Sequence, residues 1–269
     1  MARILFTYHQ PREVTFMHAS VCAALALGIT AGIIVEIGVD ETTIVPVTIY
    51  DRRPLHVLTR STRYARAALI ERTRWLVSQF GDFSMDKLTA LDLDHFIRTA
   101  LVCLPRSPIA SDSSEYVPNE KLEEHYNTPE YQGKVFTWTQ PSTERRVSLP
   151  QWIRFAIVEI FFEARNQYAD SAFTSIPVCI SSIIAKATID IRADLKAVAV
   201  TGSLCDIPGL QARIQRDTGT RLLENVHGPD LAWTGASLAA SLAFGGPSIT
   251  MQQFNSTSRV PDWTHQTRH

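Results

Sequence analysis

The chain has 269 residues, 45% of them apolar and 20% charged, with 12 glycines and 14 prolines. This is an ordinary globular composition, and it excludes a disordered, collagenous or repeat-biased protein. With 26 basic against 27 acidic residues there is no net field to draw the chain to nucleic acid or to an anionic membrane.

From Val21 to Val39 the only charge is Glu36, but Gly28 and Gly32 interrupt the run. Its character also changes from Ala/Leu-rich to β-branched, which predicts a buried helix running into a buried strand rather than a membrane span. Arg3, Pro11, Arg12 and Glu13 precede it, unlike the short basic start of a signal peptide. The expectation is a soluble, intracellular protein.

The first helix is predicted over Ser20 to Leu27, ending at Gly28. A strand follows from Gly32 to Ile37, then the polar break Gly38-Val39-Asp40-Glu41, then a β-branched run from Thr42 to Tyr50. Two such runs joined by a short turn read as a β-hairpin. Arg60 to Phe80 has helical spacing, with Leu69, Leu76 and Phe80 in its apolar stripe. Seven arginines fall between Arg52 and Arg74, a candidate surface for a phosphate or an acidic partner, with a solvated helix face as the favoured reading. Ser84 is a plausible N-cap for a helix from Met85 to Leu101.

Pro105 to Ser148 is rich in Pro, Ser and Glu and reads as an exposed insertion. It holds one hairpin, Lys134 to Thr139 with Arg145 to Leu149. Pro150 opens an apolar helix carrying Trp152, Ile153, Phe155, Ala156, Ile160 and Phe161. Next come a helix from Ile176 to Ala187, the strand Ala197 to Thr201, and the turn Gly202-Ser203-Leu204-Cys205-Asp206. A helix from Pro208 through Arg216 and an Ala-rich helix from Leu231 to Leu242 follow, and the tail is polar. The order implies a mixed α/β architecture.

The cysteines, Cys22, Cys103, Cys179 and Cys205, are scattered, with no C-x-x-C at metal spacing, so they read as small buried hydrophobes. No G-x-S-x-G, P-loop, dinucleotide fingerprint or H-E-x-x-H is present. His9, His18, His56, His95, His125, His227, His265 and His269 are dispersed. Two turns could approach a phosphate through backbone N–H groups, Gly38 to Thr42 and Gly202 to Leu204. In the first, Asp40 and Glu41 stand where an anion prefers amides.

These turns have a familiar order. Ile34 to Val47 resembles the second phosphate loop of the actin superfamily and the strand after it. Val200 to Gly209 resembles its adenosine loop, and Ala232-Trp233-Thr234-Gly235-Ala236-Ser237-Leu238 a helix start near its C-terminus. Within the superfamily, five segments resemble the actin-related proteins of the dynactin pointed-end complex: Ala2 to Phe6, Leu25 to Ile29, Val158 to Glu163, Ile189 to Arg192 and the ending Phe254 to Trp263.

The resemblance implies an α/β actin-like fold lacking the opening part of its first domain. Residues 1–50 would be the remainder of a first subdomain and 51–254 a second domain with an irregular insertion at about 105–148. Residues 255–269 would be a tail. The segment bearing the first phosphate loop would lie before Met1, and a truncated product is expected.

Against the family pattern, Glu36, Val39, Asp40 and Thr43 replace the metal-linked aspartate, the aspartate-glycine pair and the histidine. Ala19 stands at the water-positioning glutamine. Glu36, Gly38, Asp40, Thr42, Gly202 and Ser203 are therefore degenerate nucleotide-loop positions. The implied protein is no enzyme and has neither catalytic residue nor metal site. No cofactor is expected for this chain, and ATP or ADP with magnesium only for a full-length form.

The implied role is a cytoplasmic structural subunit that caps dynactin's actin-like filament and supports dynein-driven transport, with filament and pointed-end subunits as partners. The alternatives are an actin-like ATPase and a nuclear actin-related subunit of a chromatin remodeller.

Overall fold

The computed structural model describes residues 2–48, 53–81, 87–106, 116–163, 172–224, 228–242, 244 and 247–261. The chain opens with α1 (Ala2–Ile4), which continues as a π-helical turn, Leu5–His9, and then β1 (Glu13–Thr15). Next is α2 (Ala19–Ala26), capped by His18, whose ring accepts from the Ser20 N–H. It ends at Gly28, as expected. The Val21 to Val39 run divides here into this helix and β2 (Ala31–Ile37), and among the described residues no helix is long and apolar enough to cross a membrane.

The predicted hairpin is β2 with β3 (Thr42–Thr48), antiparallel from Ala31↔Thr48 to Ile37↔Thr42. Short β4 (Arg53–Pro54) and β5 (Arg60–Thr62) pair with β3. The helix predicted from Arg60 is therefore shorter: its first turn is β5, and α3 covers Arg66–Phe80. After α3 comes α4 (Ala90–Ala100), capped by a reciprocal Thr89/Asp92 box. Ser84 and Met85 lie outside the described residues, and Thr89 replaces Ser84 as the N-cap.

Then follow α5 (Leu122–Tyr126), the hairpin β6 (Val135–Thr139) with β7 (Arg146–Pro150), and α6 (Ile153–Ala156). Pro150 closes β7 instead of opening a helix, because its missing N–H is tolerated at a strand end. Beyond α6 the segment runs on as a 3-10 turn, Val158–Phe161, buried on all sides rather than on one face.

Next are α7 (Ile176–Lys186), capped by Ser175, α8 (Ile189–Arg192), β8 (Ala197–Gly202), α9 (Leu210–Thr218) and β9 (Arg221–Leu222). The chain closes with α10 (Leu231–Ser241), β10 (Ser248–Thr250) and α11 (Met251–Thr257).

One sheet organises the molecule. Its order is β4-β3-β2-β8-β9, with β5 also on β3, and β2–β8 and β8–β9 are parallel. Strands from either side of residue 50 thus share one sheet. Both faces of β2 are covered, which is why its sequence is a continuous apolar run and not an alternation. Ile33, Val35 and Ile37 face the large core under α3, α4, α6 and α7. Ile34, with Val45, Val47 and Ala199, faces a smaller core under α2 and α10.

Helices α2 and α10 pack by close backbone approach. A Cβ on Gly235 would collide with the Cys22 carbonyl, so the glycine of the W-x-G-A-S segment is a packing requirement. Segments near the two ends of the described chain meet: β1 pairs with β10, and the Phe6 and Phe254 rings stack at 5.2 Å.

The large core also holds charge. Arg72, 2% exposed at its side chain, makes a two-bond ion pair with Glu163 at 2.9 and 2.8 Å, and donates to the Ala156 and Val117 carbonyls. The expected arginine surface is consequently not one surface. Arg72 is in the core, Arg66 pairs with Asp94 at 2.6 Å, Arg60 donates to the Thr59 carbonyl, and Arg63 and Arg74 stay exposed. Arg52 lies outside the described residues. All four cysteines are buried, and none is in a disulfide.

Asp92 ties α4 to the β6–β7 turn, accepting from Thr89, Gln140 and Ser142. Burial alone would raise its carboxyl, but these hydrogen bonds outweigh burial and hold it well below the usual carboxylate range.

Gly235→Ala is expected to destabilise the protein by about 1–3 kcal/mol, the usual penalty for overpacking, whereas exposed Ser237→Ala stays within about 0.5 kcal/mol. Urea denaturation of both variants measures the difference. A depressed folded value means that the Asp92 contribution is fully present above the unfolded carboxyl value, about 3.9, and is lost as pH falls below it. The acid limb of stability against pH should therefore flatten in Asp92→Asn.

Candidate functional site

The pairing of β2 with β8 sets Ile37 beside Gly202, so the two glycine turns emerge next to each other at one end of the sheet. This is the geometry that a ligand held between them would require.

The first turn closes on itself. The Gly38 N–H donates to the Glu41 carbonyl at 3.0 Å, and a Cβ on Gly38 would sit 2.6 Å from that oxygen. The turn's carbonyls point the other way: Gly38 O accepts from the Arg66 N–H at 3.1 Å and Val39 O from the Ala67 N–H at 2.8 Å. The turn therefore caps the start of α3, whose N-cap Ala65 has no side chain able to do so.

Glu36, Gly38, Val39, Asp40, Glu41, Thr43 and Arg63 line an open cleft of about 740 Å³. Three carboxylates face one guanidinium there.

Of the positions predicted from sequence, the structure brings Glu36, Gly38 and Asp40 together in this cleft. Thr42 is fully buried and its hydroxyl donates to the Tyr64 carbonyl at 2.8 Å, so it is a strand anchor. Gly202 has a positive φ of 97°, and a Cβ there would collide with the Ile37 carbonyl. Its glycine serves strand pairing; it does not leave a cradle for a ligand. Ser203 is exposed at the following turn and is not among the cleft-lining residues. Beside it, burial pushes the Cys205 thiol up to about 12, which leaves it un-ionised. Ala19 sits exposed at the first position of α2.

A nucleotide with its metal fits these residues poorly. The Gly38 N–H of the tight turn and the Arg66 and Ala67 N–H groups that open α3 are already bonded, and the cleft's charge repels phosphate. Among the described residues no group of three or more His, Cys, Asp or Glu side chains is arranged to hold a metal ion. Arg63 is the residue that sequence reading missed, having grouped it with the helical arginines. Its place immediately after the end of β5 puts it at the cleft.

The sheet, the paired turns and the covering helices define an actin-fold domain. The chain matches the Actin family over residues 1–257, so it belongs to that family. It is 28% identical over 276 residues to Actin-related protein 8 of Arabidopsis thaliana, an alignment covering 96% of this chain and 52% of that protein. The chain thus spans about half the length of this relative.

Gly202→Ala is expected to cost about 2 kcal/mol or more, from a strained φ and a backbone collision together. Ser203→Gly should be close to neutral in a thermal melt and should confer no affinity for ATP, because Ser203 does not close the cleft.

Proposed function

We propose that the chain is a non-catalytic structural member of the actin family, working through protein contacts, and specifically a cytoplasmic subunit at the pointed end of dynactin's actin-like filament. The observation that carries the non-catalytic reading is where the backbone donors go. Gly38 N–H bonds Glu41 O, and the first amides of α3 bond Gly38 O and Val39 O. Phosphoryl transfer is mostly positioning and charge stabilisation, and this cleft supplies carboxylates where donors are needed. Alanine at position 19 orients no water.

Support for the pointed-end reading comes from the resemblance of both chain ends, above all Phe254 to Trp263. Residues 262–269 lie outside the described residues, but the described part of that segment is anchored: Phe254 stacks on Phe6 of the equally similar N-terminal segment. In this role one face of the actin fold matches the last filament subunit, and divergence around the cleft stops further addition.

The similarity to Actin-related protein 8 favours a second reading, an actin-related subunit of another assembly, a nuclear chromatin remodeller being the alternative of that kind.

Affinity purification of the tagged chain with mass spectrometry separates the readings. Recovery of dynactin filament and pointed-end subunits is the expected outcome, and recovery of remodeller ATPases in their place would reverse it. Purified protein is expected to release no phosphate from magnesium ATP above a no-protein control and to show no rise in Tm with it. Ligand binding at 100 times Kd would add about 2.7 kcal/mol of stability, so a clear rise would overturn the non-catalytic reading.

A further inference from the structure

A second charged centre lies in the large core, away from the cleft. Glu159 and Glu163 stand one turn apart on the same buried segment, the Glu163 N–H bonding the Glu159 carbonyl at 3.1 Å. Glu163 is fully engaged: both oxygens take bonds from Arg72, one also accepts from the Tyr126 hydroxyl at 3.2 Å, and the other from the Val117 N–H at 3.3 Å.

Glu159 is served far less well. It accepts from Arg213 at 3.3 Å, while the same guanidinium makes a shorter bond of 2.6 Å to Asp217 and also donates to the Leu104 carbonyl at 3.1 Å. The Glu159 and Arg213 side chains are 4% and 8% exposed, whereas Asp217 is 27% exposed and shares its charge with solvent.

Among the described residues, two buried guanidiniums, Arg72 and Arg213, serve two buried carboxyl groups, Glu163 and Glu159, and the partly exposed Asp217, and arginine does not give up its proton in proteins. Cys103 and Tyr126 also face Glu159, and burial together with neighbouring carboxylates raises both, to about 12 for the thiol and higher still for the phenol, so neither adds charge. Arg216 of α9 is directed outward to the Pro105 carbonyl.

Because the Arg213 guanidinium gives its 2.6 Å bond to Asp217, an ionised Glu159 would be left with the 3.3 Å bond at 4% exposure and with Glu163 one turn away, and a carboxylate so weakly compensated at that depth favours taking up a proton.

We propose that Glu159 is a proton switch: protonated, it leaves the Arg72–Glu163 and Arg213–Asp217 pairs balanced, and ionised, it competes with Asp217 for Arg213 and loosens the seat of the 101–105 segment on α9. That seat is made by Arg213 to Leu104 O, Arg216 to Pro105 O and Cys103 N–H to Pro208 O, and α9 begins just after the second glycine turn. The switch is independent of the pointed-end reading, since it rests on the core alone.

Burial, opposed by Arg213 and reinforced by Glu163 and Asp217, raises the Glu159 carboxyl to about 7. The folded value is above the unfolded one, about 4.3, so the stabilisation is fully present below the unfolded value and is lost as pH rises through about 7.

The test is urea unfolding of the full chain from pH 5.5 to 8.5 for the native protein, Glu159→Gln and Asp217→Asn. The native protein should lose stability as pH rises to about 7 and level off above it, releasing close to one proton from the folded state. Glu159→Gln should remove that slope, which also separates it from histidine titration. Asp217→Asn leaves Arg213 to Glu159 and should move the decline to lower pH. An unchanged slope in Glu159→Gln, or a decline in Asp217→Asn that stays in place or moves to higher pH, overturns the proposal. If Glu159→Gln does not fold, the direction of the Asp217→Asn shift decides alone.

Discussion

The parallel ladder between β2 and β8 is the contact on which the rest depends. It joins residues 31–37 to residues 197–202, and through that pairing the first hairpin, the central helices and the last third of the chain share one sheet. A parallel pair needs a crossover, and here the crossover is most of the molecule. The glycines at its ends follow from it. Gly32 lies 2.9 Å, measured from a built Cβ, from the Ala197 carbonyl, and Gly202 abuts Ile37. A side chain at either position would push apart the two strands that define the fold.

The same ladder sets the functional character of the site. It delivers two turns side by side, and backbone groups of each are taken up by internal bonds, the Gly38 and Val39 carbonyls by α3 and the Gly202 carbonyl by the Cys205 N–H. The first caps α3 and the second is held against β2. The cleft beside the first turn is acidic, with Glu36, Asp40 and Glu41 against Arg63. What a fold of this kind does is decided by the site it carries and not by the architecture.

Charge inside the large core is handled by pairing. Arg72 with Glu163 and Arg213 with Glu159 link α3, α5, the Val158–Phe161 turn and α9 across long sequence separations. Buried pairs of this kind add less stability than an apolar core of the same volume, but breaking one is strongly destabilising, by about 3–5 kcal/mol. They hold the central elements to one arrangement. The proton proposed for Glu159 follows from Arg213 being shared between that buried acid and the partly exposed Asp217.

By itself the sequence determined the local elements whose signals are short-range. The β2–β3 hairpin around Gly38, α2 ending at Gly28, the β6–β7 hairpin, and α7, β8, α9 and α10 all lie close to their expected bounds, because periodicity, caps and turn glycines act over a few residues. The order of those turns also pointed to the actin family, and Glu36, Gly38 and Asp40 to the cleft.

Tertiary structure alone decided which arginine is buried. Arg72 and Arg74 look alike in sequence, and only the position of Glu163, 91 residues away, takes the first into the core. It likewise decided that Arg60 to Thr62 is strand, because β3 offers an edge to pair with, and that Gly202 serves packing and Thr42 serves anchorage. The physical reason is common to all of these. Burial, pairing and charge balance are set by residues distant in the chain, and no pattern within a few residues of Arg72, Thr42 or Glu159 carries that information.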